Sequence, residues 1–173
     1  GASNTAMGTS ALNANTTGAQ NTAVGMNAGK SITTGVYSTY FGYGAGGSGT
    51  GGYNAFLSAN SGGAASGAGA YSVGAGIDSL FNLTSGNHNI AFGYHALLAV
   101  SSGANNTSVG AGSGDAVTTG SNNCFVGYQA GTADSPAGDV TTGSNVLCLG
   151  NDSISAFYCA DSSIDTSDER DKA

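Results

Sequence analysis

The apolar positions of this chain are sparse and periodic. A short strand-like unit, closed by glycine, recurs as Asn4-Thr-Ala-Met-Gly8, Asn21-Thr-Ala-Val-Gly25, Asn89-Ile-Ala-Phe-Gly93, Asn106-Thr-Ser-Val-Gly110 and Asn123-Cys-Phe-Val-Gly127. Less regular copies end at Gly42, Ser58, Gly74 and Gly150. The anchors at 8, 25, 42, 58, 74, 93, 110, 127 and 150 are separated by 17, 17, 16, 16, 19, 17, 17 and 23 residues. A near-constant period marks a repeat architecture. The residue before each anchor is always apolar: Met7, Val24, Phe41, Leu57, Val73, Phe92, Val109, Val126 and Leu149. Strand alternation puts it on one face with the residue two earlier, so both are expected to point inward.

The rest of each unit repeats as well. A small residue follows the anchor by three (Ala11, Ala28, Ala45, Ser61, Ala96, Ser113, Ala130), and a pair of hydroxyl residues then precedes a second glycine, as in Thr16-Thr17-Gly18 and Thr118-Thr119-Gly120. The unit is too short for a helix pair and shows no 3.6-residue apolar period. It predicts an all-β fold, a repetitive parallel β-solenoid or β-roll of about 17 residues per coil, with two short strands and two glycine turns in each coil. Extra residues in the long intervals, Phe81-Asn82-Leu83 and 132–140, are expected to emerge as loops on one face. An anchor glycine serves either a positive φ or a place where the next coil leaves no room for Cβ. That role is expected for Gly8, Gly25, Gly42, Gly74, Gly93, Gly110, Gly127 and Gly150. Asn at the strand starts predicts an amide ladder between coils. At about 4.8 Å per rung, the anchors span on the order of 40 Å.

Composition narrows the picture. Gly makes up 31 of 173 residues and charged residues only 8%, against a usual share of about 25%. A thick globular core is hard to build from so few large apolar residues, so the coil is expected to be thin. Its Ala/Ser side needs cover, which three chains around an axis would supply. The net charge of −7 is concentrated late in the chain. Before residue 134 the only charged side chains are Lys30, Asp78 and Asp115. A body without clustered Lys and Arg argues against a nucleic-acid partner. A polar, uncharged partner such as a glycan suits it better. No apolar run is long enough to cross a membrane as a helix. The chain does not begin with Met, so it is expected to be a piece of a longer protein. Cys124, Cys148 and Cys159 form neither a CxxC pair nor an even set, so they read as free small hydrophobes and no metal site or cofactor is expected.

The unit Asn-Thr-Ala-Val-Gly-x-x-Ala-Gly…Thr-Thr-Gly resembles the repeats of phage tail-fibre proteins. It is also similar to the head repeats of trimeric autotransporter adhesins, which form left-handed β-rolls in trimers. The likeness runs over about residues 4 to 154. The string Ser167-Asp168-Glu169-Arg170-Asp171-Lys172 resembles the opening of the intramolecular chaperone that ends endosialidases and other phage fibres. That resemblance implies a chaperone which drives trimerisation and then cuts itself off between Ser167 and Asp168. It also implies that Ser167 is the nucleophile and Lys172 its base, a pair that works when the Lys pKa is lowered. On that resemblance the chaperone is expected to be cut short at Ala173, with its body outside this sequence. The implied organisation is a repeat shaft and receptor-binding region over 1–154, a linker over 155–166 and a truncated chaperone start over 167–173.

The expected function is that of a distal tail-fibre segment on the virion tail: a homotrimer that binds a host cell-surface glycan or protein without turnover. A bacterial adhesin or extracellular filament segment and a polysaccharide-degrading tailspike are the alternatives. Glycosidase chemistry wants two neighbouring carboxylates, for which Asp78, Asp115 and the late group Asp134, Asp139 and Asp152 are the candidates. Tyr43, Tyr94 and Tyr128 share one repeat position, and can either stack on sugar rings or pack between chains. Other signals carry less. Gly42-Tyr-Gly44-Ala-Gly-Gly47 fits GxGxxG without a βαβ unit around it, and so belongs to the repeat. His88 and His95 lack a second ligand cluster and read as surface residues. The Asn-x-Ser/Thr triplets follow from composition. Adjacent Thr pairs point to opposite faces, which gives no flat array for ice.

Overall fold

The computed structural model describes residues 1–47, 51–63 and 69–156. Among them are nine three-residue strands and no helix: β1 (Thr5–Met7), β2 (Thr22–Val24), β3 (Thr39–Phe41), β4 (Ala55–Leu57), β5 (Val73–Ala75), β6 (Ile90–Phe92), β7 (Thr107–Val109), β8 (Cys124–Val126) and β9 (Leu147–Leu149). They form one parallel sheet in chain order. Equivalent residues pair from rung to rung, as in Thr5↔Thr22, Ala6↔Ala23 and Met7↔Val24. The fold is an all-β parallel solenoid with about 17 residues per coil. Each coil carries one strand, where two were expected. The rest is tight turn, yet the turns stack through the same rung-to-rung bonding. The Leu12 N–H donates to the Ala28 carbonyl at 3.0 Å, Ala14 to Lys30 at 3.0 Å, and Thr16 to Thr33 at 3.0 Å.

The strand faces are the reverse of the sequence expectation. The central residue of each strand from β2 to β9 is buried, and the apolar residue before the anchor lies outside. Met7, Phe41, Phe92 and Leu149 are all exposed. The reason is the width of the coil. Its lumen is narrow and is shared by the strand centre and by the arc after the anchor. The Ala/Ser position of that arc lines the lumen, with Ala28, Ala45, Ser61, Ala96, Ser113 and Ala130 fully buried. It is therefore not an outer side in need of cover.

Within the lumen, size is traded across each rung. Strand centres with a large ring face glycine in the arc: Tyr40 faces Gly46, Phe56 faces Gly62 and Phe125 faces Gly131. A Cβ on Gly62 would stand 2.5 Å from the Phe56 ring, and one on Gly114 2.7 Å from Phe125. Where the strand centre is small, Ala6, Gly74 or Ala91, the arc supplies Leu12, Leu80 or Leu97, each buried. Where both positions are small, as in Ala23 with Gly29 and Ser108 with Gly114, the adjacent rungs fill the space. Leu12 and Tyr40 reach toward Gly29, and Leu97 and Phe125 toward Gly114, so volume is balanced between neighbouring rungs, as close packing requires.

The asparagine ladder is present, chiefly as side chain to backbone. Asn4 Oδ1 accepts from the Asn21 N–H at 2.9 Å, Asn106 Oδ1 from Asn123 at 3.1 Å and Asn123 Oδ1 from Val146 at 2.9 Å. Their Nδ2 groups donate to the second-glycine carbonyls Gly18, Gly120 and Gly143 at 2.8 to 2.9 Å. Only Asn106 also reaches its copy, donating to Asn89 Oδ1 at 3.1 Å. Each amide thus closes the turn that no strand hydrogen bond reaches, which a buried backbone demands.

Apart from Ser58 (φ +155°), the anchor column is glycine, and for both expected reasons at once. Gly110 has φ +139°, and a Cβ there would stand 2.6 Å from the Gly127 carbonyl carbon. Gly8, Gly25, Gly42, Gly93 and Gly127 also have positive φ. Gly74 is the correction. It sits at the centre of β5, opposite Phe56 and Ala91, and Gly76 (φ +147°) holds the anchor position. Two small-glycine steps in Val73-Gly74-Ala75-Gly76 made the register ambiguous. With Gly76 as anchor, Phe81-Asn82-Leu83 is no insertion. Leu80 and Leu83 match Leu97 and Val100, and all four are buried. The later insertion is real: turns through Thr132, Ser135 and Gly138 return the chain to Val140, which donates to the Gly131 carbonyl at 3.0 Å and is again buried. Gly150 closes the last rung with φ +68° and lies against Ile154.

Candidate functional site

Three surfaces carry side chains that the fold does not consume. The first is the outer face of the sheet. Its two columns run Thr5, Thr22, Thr39, Ala55, Val73, Ile90, Thr107, Cys124, Leu147 and Met7, Val24, Phe41, Leu57, Ala75, Phe92, Val109, Val126, Leu149. No charged residue interrupts either column. Met7 is 65% exposed, Phe41 58% and Leu147 67%. Eight rung intervals of about 4.8 Å and three residues of strand give a flat footprint on the order of 400 Å². That falls within the range of the largest apolar patch on an ordinary monomer, where such patches are often functional.

The second surface is the arc beyond the anchor, where Tyr43, Tyr94 and Tyr128 lie in one exposed column with Met26 and Ile77. The three tyrosines are not equivalent. Tyr94 is stacked on His95, with ring centroids 3.7 Å apart. Tyr43 and Tyr128 stack on no ring among the described residues. Below Tyr43 the arc is notched, about 380 Å³ in volume, between Asn27, Lys30, Asn60 and Phe81.

The third is an aromatic file that sequence reasoning missed. Tyr37, Tyr53, Tyr71 and His88 stack on consecutive rungs, with centroids 5.2, 4.9 and 5.1 Å apart. All four take positive φ, between 54° and 62°. They share one repeat position, five residues before the anchor; the sequence shows it for Tyr37, Tyr53 and His88, whereas Tyr71 falls into line only with Gly76 as anchor. Because each ring covers the next, the file presents edges outward and leaves no free face for a sugar except at its ends.

Charge is segregated along the axis. His95 Nε2 lies 3.5 Å from Asp78 Oδ2. Burial and then the nearby Asp139 push the Asp115 carboxyl above the ordinary carboxylate range, opposed by the Ala116 N–H and by His95. The Asp134 carbonyl accepts from the Asp152 N–H at 2.7 Å, which ties the insertion to the chain that follows β9. Among the described residues no group of three His, Cys, Asp or Glu side chains is placed to hold a metal, and no helix is long and apolar enough to cross a membrane. Cys124 lies on the outer sheet face and Cys148 in the lumen. Ser167, Lys172, Cys159 and the whole chaperone-like segment lie outside the described residues, as does most of the 155–166 linker.

No protein-family model, curated protein or solved structure matches this chain.

Proposed function

We propose that this chain is a shaft and cell-surface-binding segment of a homotrimeric fibre of the phage tail-fibre kind, carried on the outside of a virion. It binds without turnover, and its C-terminal segment from Ser167 belongs to a self-releasing chaperone. The observation that carries the reading is the outward apolar stripe, which runs unbroken and uncharged over all nine rungs. A shaft that turned this face toward its own axis would bury it along its whole length. Threefold closure follows the resemblance of the repeat and of the Ser167–Lys172 string to trimeric fibres. The hydroxyl and amide side chains on the remaining faces suit a glycan partner.

Sedimentation tests the assembly. At micromolar concentration the protein should run at three times the chain mass, and the Phe41→Asp/Phe92→Asp double variant as a folded monomer. A wild-type monomer contradicts the reading, and a dimer contradicts its threefold closure, leaving only pairwise packing of the sheets.

A second reading, a polysaccharide-degrading spike, is favoured by one feature. Asp139 is near enough to help raise the Asp115 carboxyl, after burial, and a carboxyl pushed up beside a second carboxyl is what glycosidase chemistry needs of a general acid. Depolymerisation of a surface polysaccharide that disappears in both Asp115→Asn and Asp139→Asn would select this reading over pure binding.

A further inference from the structure

We infer that the notch between the β2 and β5 rungs is a binding site for a carboxylate-bearing sugar residue, a hexuronate, within a surface polysaccharide. The inference rests on the glycan-binding reading above and gives it a place and a ligand class. The notch arises from a gap in one side-chain column. Five residues after the anchors from Gly25 to Gly110 the column reads Lys30, Gly47, Gly63, Phe81, Leu98 and Asp115. Two consecutive rungs therefore lack side chains there, which opens a depression roughly 10 Å long between the flanking rungs. Its volume of about 380 Å³ lies within the range of small-ligand sites.

The groups around the gap differ from one another. Lys30 stands at one end, exposed and with no ion pair among the described residues. The Phe81 ring stands at the other end and leans over Gly63, where a Cβ would meet its Cε2 at 3.1 Å. The Asn60 side chain leans over Gly44, with Oδ1 2.8 Å from where a Cβ would be. Tyr43 lies on the rim with no ring stacked on it. A pyranose presents C–H faces, which pack on the Tyr43 and Phe81 rings, and hydroxyls, which Asn27 and Asn60 can both donate to and accept from. One ammonium among them selects one anionic substituent per residue and is too little for a run of phosphates.

The long-range field agrees. Lys30 is on the β2 rung, whereas Asp78, Asp115, Asp134, Asp139 and Asp152 all come at β5 or later. An acidic polymer is therefore repelled from the far rungs and steered toward this end. Of the three tyrosines singled out by their repeat position, only Tyr43 adjoins the notch.

The test uses the full chain and an immobilised panel of galacturonate, glucuronate and mannuronate oligosaccharides, each paired with its methyl ester. The wild type should bind at least one free acid at least about tenfold better than its ester. Lys30→Gln should remove that preference, Lys30→Arg should keep it, and Tyr43→Ala should lose binding to acid and ester alike. Lys30 and Tyr43 are exposed, so unchanged circular dichroism and sedimentation would confirm that the variants fold and assemble. Binding that ignores the carboxylate, or that survives both Lys30→Gln and Tyr43→Ala, overturns the notch and leaves glycan binding standing elsewhere on the shaft. Binding to no member of the panel, acid or ester, overturns the notch, and absence of binding to a parallel panel of neutral and amino-sugar glycans as well would overturn the glycan reading with it.

Discussion

At the residue scale, the anchor glycine faces two constraints that add. At Gly110 a side chain meets a backbone conformation costing of order 1–3 kcal/mol and then the Gly127 backbone, with the Cβ at 2.6 Å from a carbonyl carbon. The clash is with Cβ itself, so Gly110→Ala should already lower the melting temperature clearly, and Gly110→Val further. Gly138, with φ +64° and nothing within 4 Å of its Cβ, carries the conformational term alone. Gly138→Ala should cost about 1 kcal/mol, and equal melting temperatures for the three variants would remove the close-approach term. Asp115 gives a pH signature. Its carboxyl is raised in the folded state, first by burial. The folded state therefore holds the proton in a pH range where the unfolded chain has lost it, and stability falls as pH rises through that range. Asp115→Asn should raise the melting temperature at pH 7 and have no such advantage below the ordinary carboxylate range. An advantage independent of pH would assign the effect to packing.

At the scale of one coil, the balance between strand centre and arc makes a reciprocal prediction. Phe125→Ala empties a fully buried site and should cost about 3–5 kcal/mol. Gly131 faces that ring with φ +76°, and leucines at the same repeat position, Leu80 and Leu97, take φ +53° and +50°. The double variant Phe125→Ala/Gly131→Leu should therefore recover a substantial part of the loss in a thermal melt, while Gly131→Leu alone destabilises. Additive losses would show that the two sites do not share volume. This trade was in the sequence as alternating large and small residues at two positions, but it became readable only once the inward column was known. The period, the parallel rung order and the Asn ladder were legible because every copy repeats them. The face assignment was not. Apolar character at the residue before the anchor says that it wants burial and does not say whether its own coil or another molecule buries it. The Gly74 register failed for a related reason: a strand of Val-Gly-Ala carries no distinctive centre.

At the scale of the molecule, those two errors point to one property. Among the described residues the coil fills its lumen with Ala, Ser, Leu, Ile, Val and the three rings of Tyr40, Phe56 and Phe125, and many large apolar side chains remain for the outside. Aromatic residues on the arc were legible as candidates, but the notch was not, because it comes from glycines at one position on two successive rungs rather than from any motif. Two natural thiols report directly on whether the sheet face is covered by other copies. Cys124 lies on that face and Cys148 in the lumen of the next coil. In a Cys159→Ser chain, the rate at which each thiol reacts with a small disulfide reagent should be followed in the assembled protein and in the Phe41→Asp/Phe92→Asp variant. If the sheet faces meet around the fibre axis, Cys124 is protected at least about tenfold in the assembly and released in the variant, while Cys148 stays protected in both. A Cys124 that reacts equally fast in the assembly and in the variant would contradict burial of this face and place the contact between copies on another surface.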